Sequence, residues 1–100
     1  MVAYLISFSS QHSNDPDWNK AYGEIVKPLL AKYKAEIISR GKPEKGERSK
    51  EWEKATLIQF PTKDLARKFL ADPDYHHAKG LRIYHTSGEL YLLGDDTLIL

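Results

Sequence analysis

Apolar positions recur with two different periods along the chain, and these periods divide it into elements. "VAYLISF" (2–8) is a short run of β-branched, aliphatic and aromatic residues, the composition of a strand. "SSQHSNDPDW" (9–18) is turn chemistry, with Asp15 placed to cap a helix whose first turn holds Pro16 and Asp17. Trp18, Tyr22, Ile25, Leu29 and Tyr33 then follow at helical spacing and define one helical face. Pro28 lies inside this pattern, removes a backbone donor and predicts a kink. "AEIISRG" (35–41) reads as a second strand and "ATLIQF" (55–60) as a third. "PTKDLARKFLA" (61–71) reads as a helix with Thr62 as N-cap and Asp64 in its positive first turn. A residue before proline avoids helical angles, so Asp72 is expected to end that helix and cap a further helical segment. "SG" (87–88) reads as a turn, "ELYLLG" (89–94) as a fourth strand and "DDTLIL" (95–100) as a tail with an apolar end.

The order β-α-β-β-α-β predicts an α+β fold, a four-stranded antiparallel sheet with its helices on one face. Such a sheet should alternate between apolar and polar residues, because its open face meets water. These strands do not. In the first, Tyr4, Ile6 and Phe8 oppose Ala3 and Leu5; in the third, Thr56, Ile58 and Phe60 oppose Ala55 and Leu57; in the fourth, Leu90 and Leu92 oppose Tyr91 and Leu93. Helices cover one face only, so the expected cover for the other is the sheet of a second copy, giving a homodimer. The "TLIL" end (97–100) is expected to add to that seam.

Three segments carry a resemblance: "DPDWNKAY" at the first helix, "SRGK" at the end of the second strand, and "ATLIQFPTKDLARKFLADPDYHHAKGLR". Together they resemble the domain-of-unknown-function 1330 family of the dimeric α/β-barrel (ferredoxin-like) superfamily. The resemblance spans nearly the whole chain and implies a ferredoxin-like dimer of unassigned biochemistry. Lys34-Ala35 stands where that family usually has two glycines, which argues against a tight turn there.

One hundred residues suffice for a single domain over 1–100. The net charge of +1 gives no one-sided basic excess, so nucleic acid is not expected as a partner. Without cysteine, disulfides and thiolate chemistry are excluded. The apolar N-terminal run is too short to span a bilayer, so no membrane partner is expected and the cytoplasm is the expected location.

Candidate chemistry is sparse. Neither a Gly-rich phosphate loop nor a G-x-S-x-G element is present, and no cofactor is expected. His76 and His77 in "DPDYHH" (72–77) are adjacent and so point about 100° apart on a helix, whereas helical metal ligands sit four apart. Polar surface histidines are the simpler reading, and no metal is expected. Strict alternation places Glu36, Ile38 and Arg40 on one face of the second strand. On a doubly covered sheet Arg40 needs a partner: a structural ion pair, or the carboxylate or enolate of a small ligand. Arg82 has the same two readings. Trp52 is either a lid over the sheet edge or an aromatic pocket wall, and Tyr22 is either core or a phenol aimed into a cavity. The resulting expectation is a small organic acid bound or converted between helices and sheet by Arg40, Trp52, Tyr22 and Arg82. The alternative is a non-catalytic dimeric module. A third reading is a haem-type or cofactor-free monooxygenase, after related barrels that degrade haem with an Asn, a Trp and a helical His, for which Asn14, Trp52 and His76 or His77 occur in suitable order.

Overall fold

Four strands form one antiparallel sheet in the order β2-β3-β1-β4. The computed structural model describes residues 2–94. Its elements are β1 (Ala3–Gln11), α1 (Trp18–Lys32), β2 (Glu36–Gly41), β3 (Lys54–Phe60), α2 (Lys63–Ala71), α3 (Pro73–His85) and β4 (Thr86–Gly94). The second helical region is therefore two helices. Asp72 separates them in an extended conformation, ending α2 and accepting the Asp74 N–H at 2.9 Å to cap α3. Thr62 caps α2 by accepting the Leu65 N–H at 3.1 Å. No helix among the described residues is long and apolar enough to cross a membrane.

The register sorts each strand's residues between two faces. Ala3 and Leu5 of β1 lie opposite Phe60 and Ile58 of β3, and Leu5 lies opposite Leu92 of β4. Leu5, Ile58, Phe60 and Leu92 meet Val26, Leu29 and Leu30 of α1, Ala66 and Phe69 of α2, and Tyr75 and Ala78 of α3 in one core. Phe60 and Phe69 are fully buried at its centre, with ring centroids 5.4 Å apart. The outer face carries Tyr4, Ile6 and Phe8 of β1, Leu57 of β3, and Tyr91 and Leu93 of β4. Ile6 sits between Leu57 on one side and Tyr91 on the other. Tyr91 and Leu93 are more than half exposed, so an apolar sheet face is open to solvent.

Several local expectations are corrected. The helix α1 begins at Trp18, not after Asp15; the Asp15 carboxylate instead accepts the Asp17 N–H at 2.9 Å and shapes the turn before the helix. Pro28 lies inside α1, as its place in the apolar pattern indicated. Ser87-Gly88 is not a turn but part of β4, where Gly88 pairs with Ser9. A Cβ at Gly88 would collide with the Phe8 carbonyl, so this glycine allows close approach of two strands. At the end of α1 Lys34 adopts φ 57°, the left-handed turn that its sequence argued against. The Ala35 N–H bonds the Leu30 carbonyl at 2.7 Å and the Lys34 N–H bonds that of Ala31 at 3.2 Å, which is a Schellman cap closed without glycine. The apolar tail 95–100 falls outside the described residues.

The correction with most bearing on function is in β2. Ile37 pairs with Ile58, but Ser39 pairs with Leu57 and Arg40 with Thr56, so the register skips Ile38 in a bulge. Alternation resumes one residue out of phase. Arg40 therefore shares the helix-facing side with Ile37 rather than with Glu36 and Ile38.

Candidate functional site

On the helix-facing side the cross-strand pairs of β1 and β3 change character along the sheet. Leu5–Ile58 is apolar and belongs to the core; Ser7–Thr56 and Ser9–Lys54, the next two pairs, are polar. Small hydroxyl side chains do not fill the space beneath α1. The result is a cleft of about 520 Å³, floored by these strands and roofed by Trp18, Tyr22 and Val26 of α1.

Positive charge converges on this cleft. Arg40 enters from β2, Lys54 from β3 and Arg82 from α3, while Glu24 is the one carboxylate among the described residues lining it. None of these three cations forms an ion pair with a carboxylate among the described residues. Arg82 Nη2 instead donates to the Tyr75 hydroxyl at 3.4 Å. Burial pushes the Tyr22 phenol up to about 12, Tyr75 adds to the rise, and the neighbouring Arg82 guanidinium partly opposes it. Tyr22 thus presents a neutral hydroxyl, able to donate a hydrogen bond, at neutral pH. Lys54 keeps substantial solvent exposure, yet partial burial, and then the charge of Arg40, lower its hold on its proton.

Behind the roof, the Trp18 ring meets Tyr22 edge-on at 5.8 Å and stacks on buried His85 at 5.4 Å. Ser13 Oγ lies 2.6 Å from His85 Nδ1, fixing the imidazole to the β1–α1 loop. The Trp18 Nε1–H is buried without a hydrogen-bond partner among the described residues.

Of the residues singled out from sequence, Tyr22, Arg40 and Arg82 line this one cleft. Trp52 does not. It lines a second cavity of about 280 Å³ with Phe8 and Tyr91, on the outer side of the sheet, with Lys50 Nζ 5.9 Å from its ring centroid. His76 and His77 are exposed on α3, across the sheet from Trp52, and Asn14 is exposed in the β1–α1 loop. The geometry does not gather the Asn-Trp-His set. Among the described residues no three His, Cys, Asp or Glu side chains form a metal-binding group. Sequence reading missed Lys54 and the Ser7, Ser9 and Thr56 floor. Their signal was present: two strands lose their inward apolar residues towards the same end of the sheet.

A family model described as a domain of unknown function, DUF1330, matches residues 2–95. The chain belongs to the DUF1330 family. No curated protein matches the chain. Solved structures with the same ferredoxin-like fold are only distantly similar to this DUF1330 chain in sequence. A dimeric ferredoxin-like protein of unknown function from Jannaschia sp. CCS1 aligns with a TM-score of 0.76 at 14% identity, over 95% of this chain and 100% of that one. A protein of unknown function from Rhodopseudomonas palustris aligns at 0.73 and 16%, over 97% and 84%. SnoaB, a cofactor-independent oxygenase from Streptomyces nogalater, aligns at 0.67 and 12%, over 98% and 96%. At these identities the likeness is one of fold.

Proposed function

We propose that this DUF1330 protein binds a small organic anion, a carboxylate or enolate with an apolar body, in the cleft between α1 and the sheet. The observation that carries this reading is the convergence of Arg40, Lys54 and Arg82 on one cleft with no carboxylate paired to them among the described residues. Guanidinium groups hold carboxylates by paired hydrogen bonds, and those bonds strengthen where water is partly excluded. The Tyr22 hydroxyl supplies a neutral donor, and Trp18, Val26 and Leu30 supply apolar contact. The experiment is calorimetric titration of a library of small carboxylates against the wild-type protein, Arg40→Met and Arg82→Met. A charged hydrogen bond is worth about 1.5–3 kcal/mol, so each variant should bind at least about tenfold more weakly with little change in melting temperature. A large fall in melting temperature with unchanged binding would make Arg40 structural instead.

The same proposal has the protein act as a homodimer in which each sheet's outer face covers the other's. Support comes from the apolar set Tyr4, Ile6, Phe8, Leu57, Tyr91 and Leu93 on that face. Monomers rarely leave more than a few hundred Å² of contiguous apolar surface exposed, and a standard interface removes about 1,600 Å² in total. The Jannaschia protein of the same fold is described as dimeric. Trp52, at the margin of this face, would then contribute to assembly or to a pocket at the seam rather than to the Arg40 cleft. The proposal sets the dimer in the cytoplasm, where a cysteine-free chain needs no oxidising environment.

A further inference from the structure

Lys54 has a placement that simple anion binding does not require. It is the first residue of β3, faces the helices and lies opposite Ser9. Arg40 lies opposite Thr56, so Arg40 and Lys54 are diagonal neighbours on one face of the β2–β3 pair. Diagonal neighbours stand about 7–8 Å apart at the backbone, within mutual reach of two long side chains. Neither is ion-paired among the described residues, and Arg82 approaches from α3 while Lys20, Glu24 and Lys27 line the α1 side. An amine beside a second cation in a partly desolvated wall holds its proton less firmly and becomes a nucleophile. Lys32 shows the opposite case: paired to Asp72 at 3.0 Å, its ammonium is stabilised.

We propose that Lys54 condenses with the carbonyl of a short 2-oxo or 3-oxo carboxylate whose carboxylate group is held by Arg40. This deepens the anion-binding reading and rests on it. An oxo acid of this class places its carbonyl one or two carbons from its carboxylate, which suits a guanidinium and an amine on adjacent strands. The step balances without a redox partner. The neutral Lys54 amine forms a C–N bond to the carbonyl carbon, and the carbonyl oxygen takes up a proton. The carbinolamine then loses water as its C–O bond breaks, leaving a protonated imine on Nζ. The Ser9 and Thr56 hydroxyls border Lys54 in the register and are placed to pass the protons.

The test traps the imine. Wild-type protein is incubated at neutral pH with glyoxylate, pyruvate or acetoacetate, each with borohydride, and the reduced adduct is located by peptide mass mapping. Calorimetry with the same acids, without reductant, runs in parallel. The expected result is one adduct per chain on Lys54, competed by a saturating carboxylate that lacks a carbonyl. The adduct should vanish in Lys54→Arg, which keeps the charge, and fall at least about tenfold in Arg40→Gln. Arg40-dependent binding with no adduct, or with label scattered over surface lysines, overturns the imine and leaves the anion site standing. Neither binding nor adduct overturns both. Because the wild-type mapping names the modified lysine, the outcome does not depend on how well a variant folds.

Discussion

The Tyr33 hydroxyl donates to Asp72 Oδ2 at 2.6 Å and ties the end of α1 to the junction of α2 and α3. Lys32 Nζ reaches the same oxygen at 3.0 Å, and the other oxygen caps α3. One buried carboxylate thus joins three helices. The Tyr33 bond, then Lys32, then the Asp74 N–H hold the Asp72 carboxyl at about 2, below its ordinary 3.8. A folded-state pKa below the unfolded one gives stability that is complete above about pH 4 and is lost as pH falls from about 4 to about 2. Thermal melts at steps across this window should show a steep acid loss in the wild type and a shallower one in Tyr33→Phe. Asp72→Asn should flatten it most, from a lower starting melting temperature. Tyr33 and Lys32 are shifted upward by the same carboxylate, so their share persists through neutral pH and is lost only above about pH 10. An unchanged acid slope in Asp72→Asn would remove the clasp from the account.

Lys34→Gly should stabilise the protein by about 1 kcal/mol. The Schellman cap forces φ 57° on a residue with a Cβ, and the left-handed region costs such a residue about 1–2 kcal/mol. Part of the gain returns as greater freedom of glycine in the unfolded chain. Urea denaturation of the two proteins measures the difference; a loss of stability would mean that the lysine side chain contributes more than its backbone costs.

Gly88→Ala should cost about 1–3 kcal/mol, the range for overpacking a rigid site. The atom met is the backbone carbonyl of Phe8, which cannot rotate away as a side chain would. The same substitution at Gly80, where an added Cβ meets nothing within 4 Å, should leave stability equal or improved. Chemical denaturation of both variants provides the comparison, and equal effects would contradict the close approach of β1 and β4.

Leu57→Glu and Ile58→Glu are adjacent in sequence and opposite in consequence. Leu57 faces outward between Ile6 and Ser39, whereas Ile58 packs against the core. On the proposed homodimer, Leu57→Glu should leave a folded 11.5 kDa species in sedimentation where the wild type sediments as twice that mass, with reduced melting temperature. Ile58→Glu buries a carboxylate without a partner and should prevent folding. A folded, fully dimeric Leu57→Glu protein would exclude the outer face as the seam.

The strand and helix order was legible because it rests on period and caps. Thr62 and Asp72 both cap helices as their sequence context predicts. The two apolar sheet faces were also legible, because alternation along β1, β3 and β4 is regular. What alternation cannot carry is a change of phase. The skipped Ile38 has no sequence signature, since an isoleucine fits either side of a strand, and it reversed the face assigned to Arg40. Gly88 was misread because glycine serves turns and close strand contacts alike. Lys34 was misread because the pull of two capping hydrogen bonds outweighs a local steric cost. Trp52 was placed with Arg40 by residue type alone, and no spacing rule assigns a residue of a twelve-residue charged loop (42–53) to one side of a sheet.

The bulge at Ile38 makes the chemistry of the cleft depend on the pairing register of β2 as much as on side-chain identity. Were the same residues paired without the bulge, Ile38 would fall opposite Leu57, Ser39 opposite Thr56 and Arg40 opposite Ala55, and Arg40 would turn to the outer face. A chain one residue shorter at this point would need no bulge and would keep Arg40 opposite Thr56. Kin of equal length that pair β2 in unbroken alternation would then share this scaffold and every residue of the cleft while lacking its cation, and a comparison by substitution alone would not detect the loss.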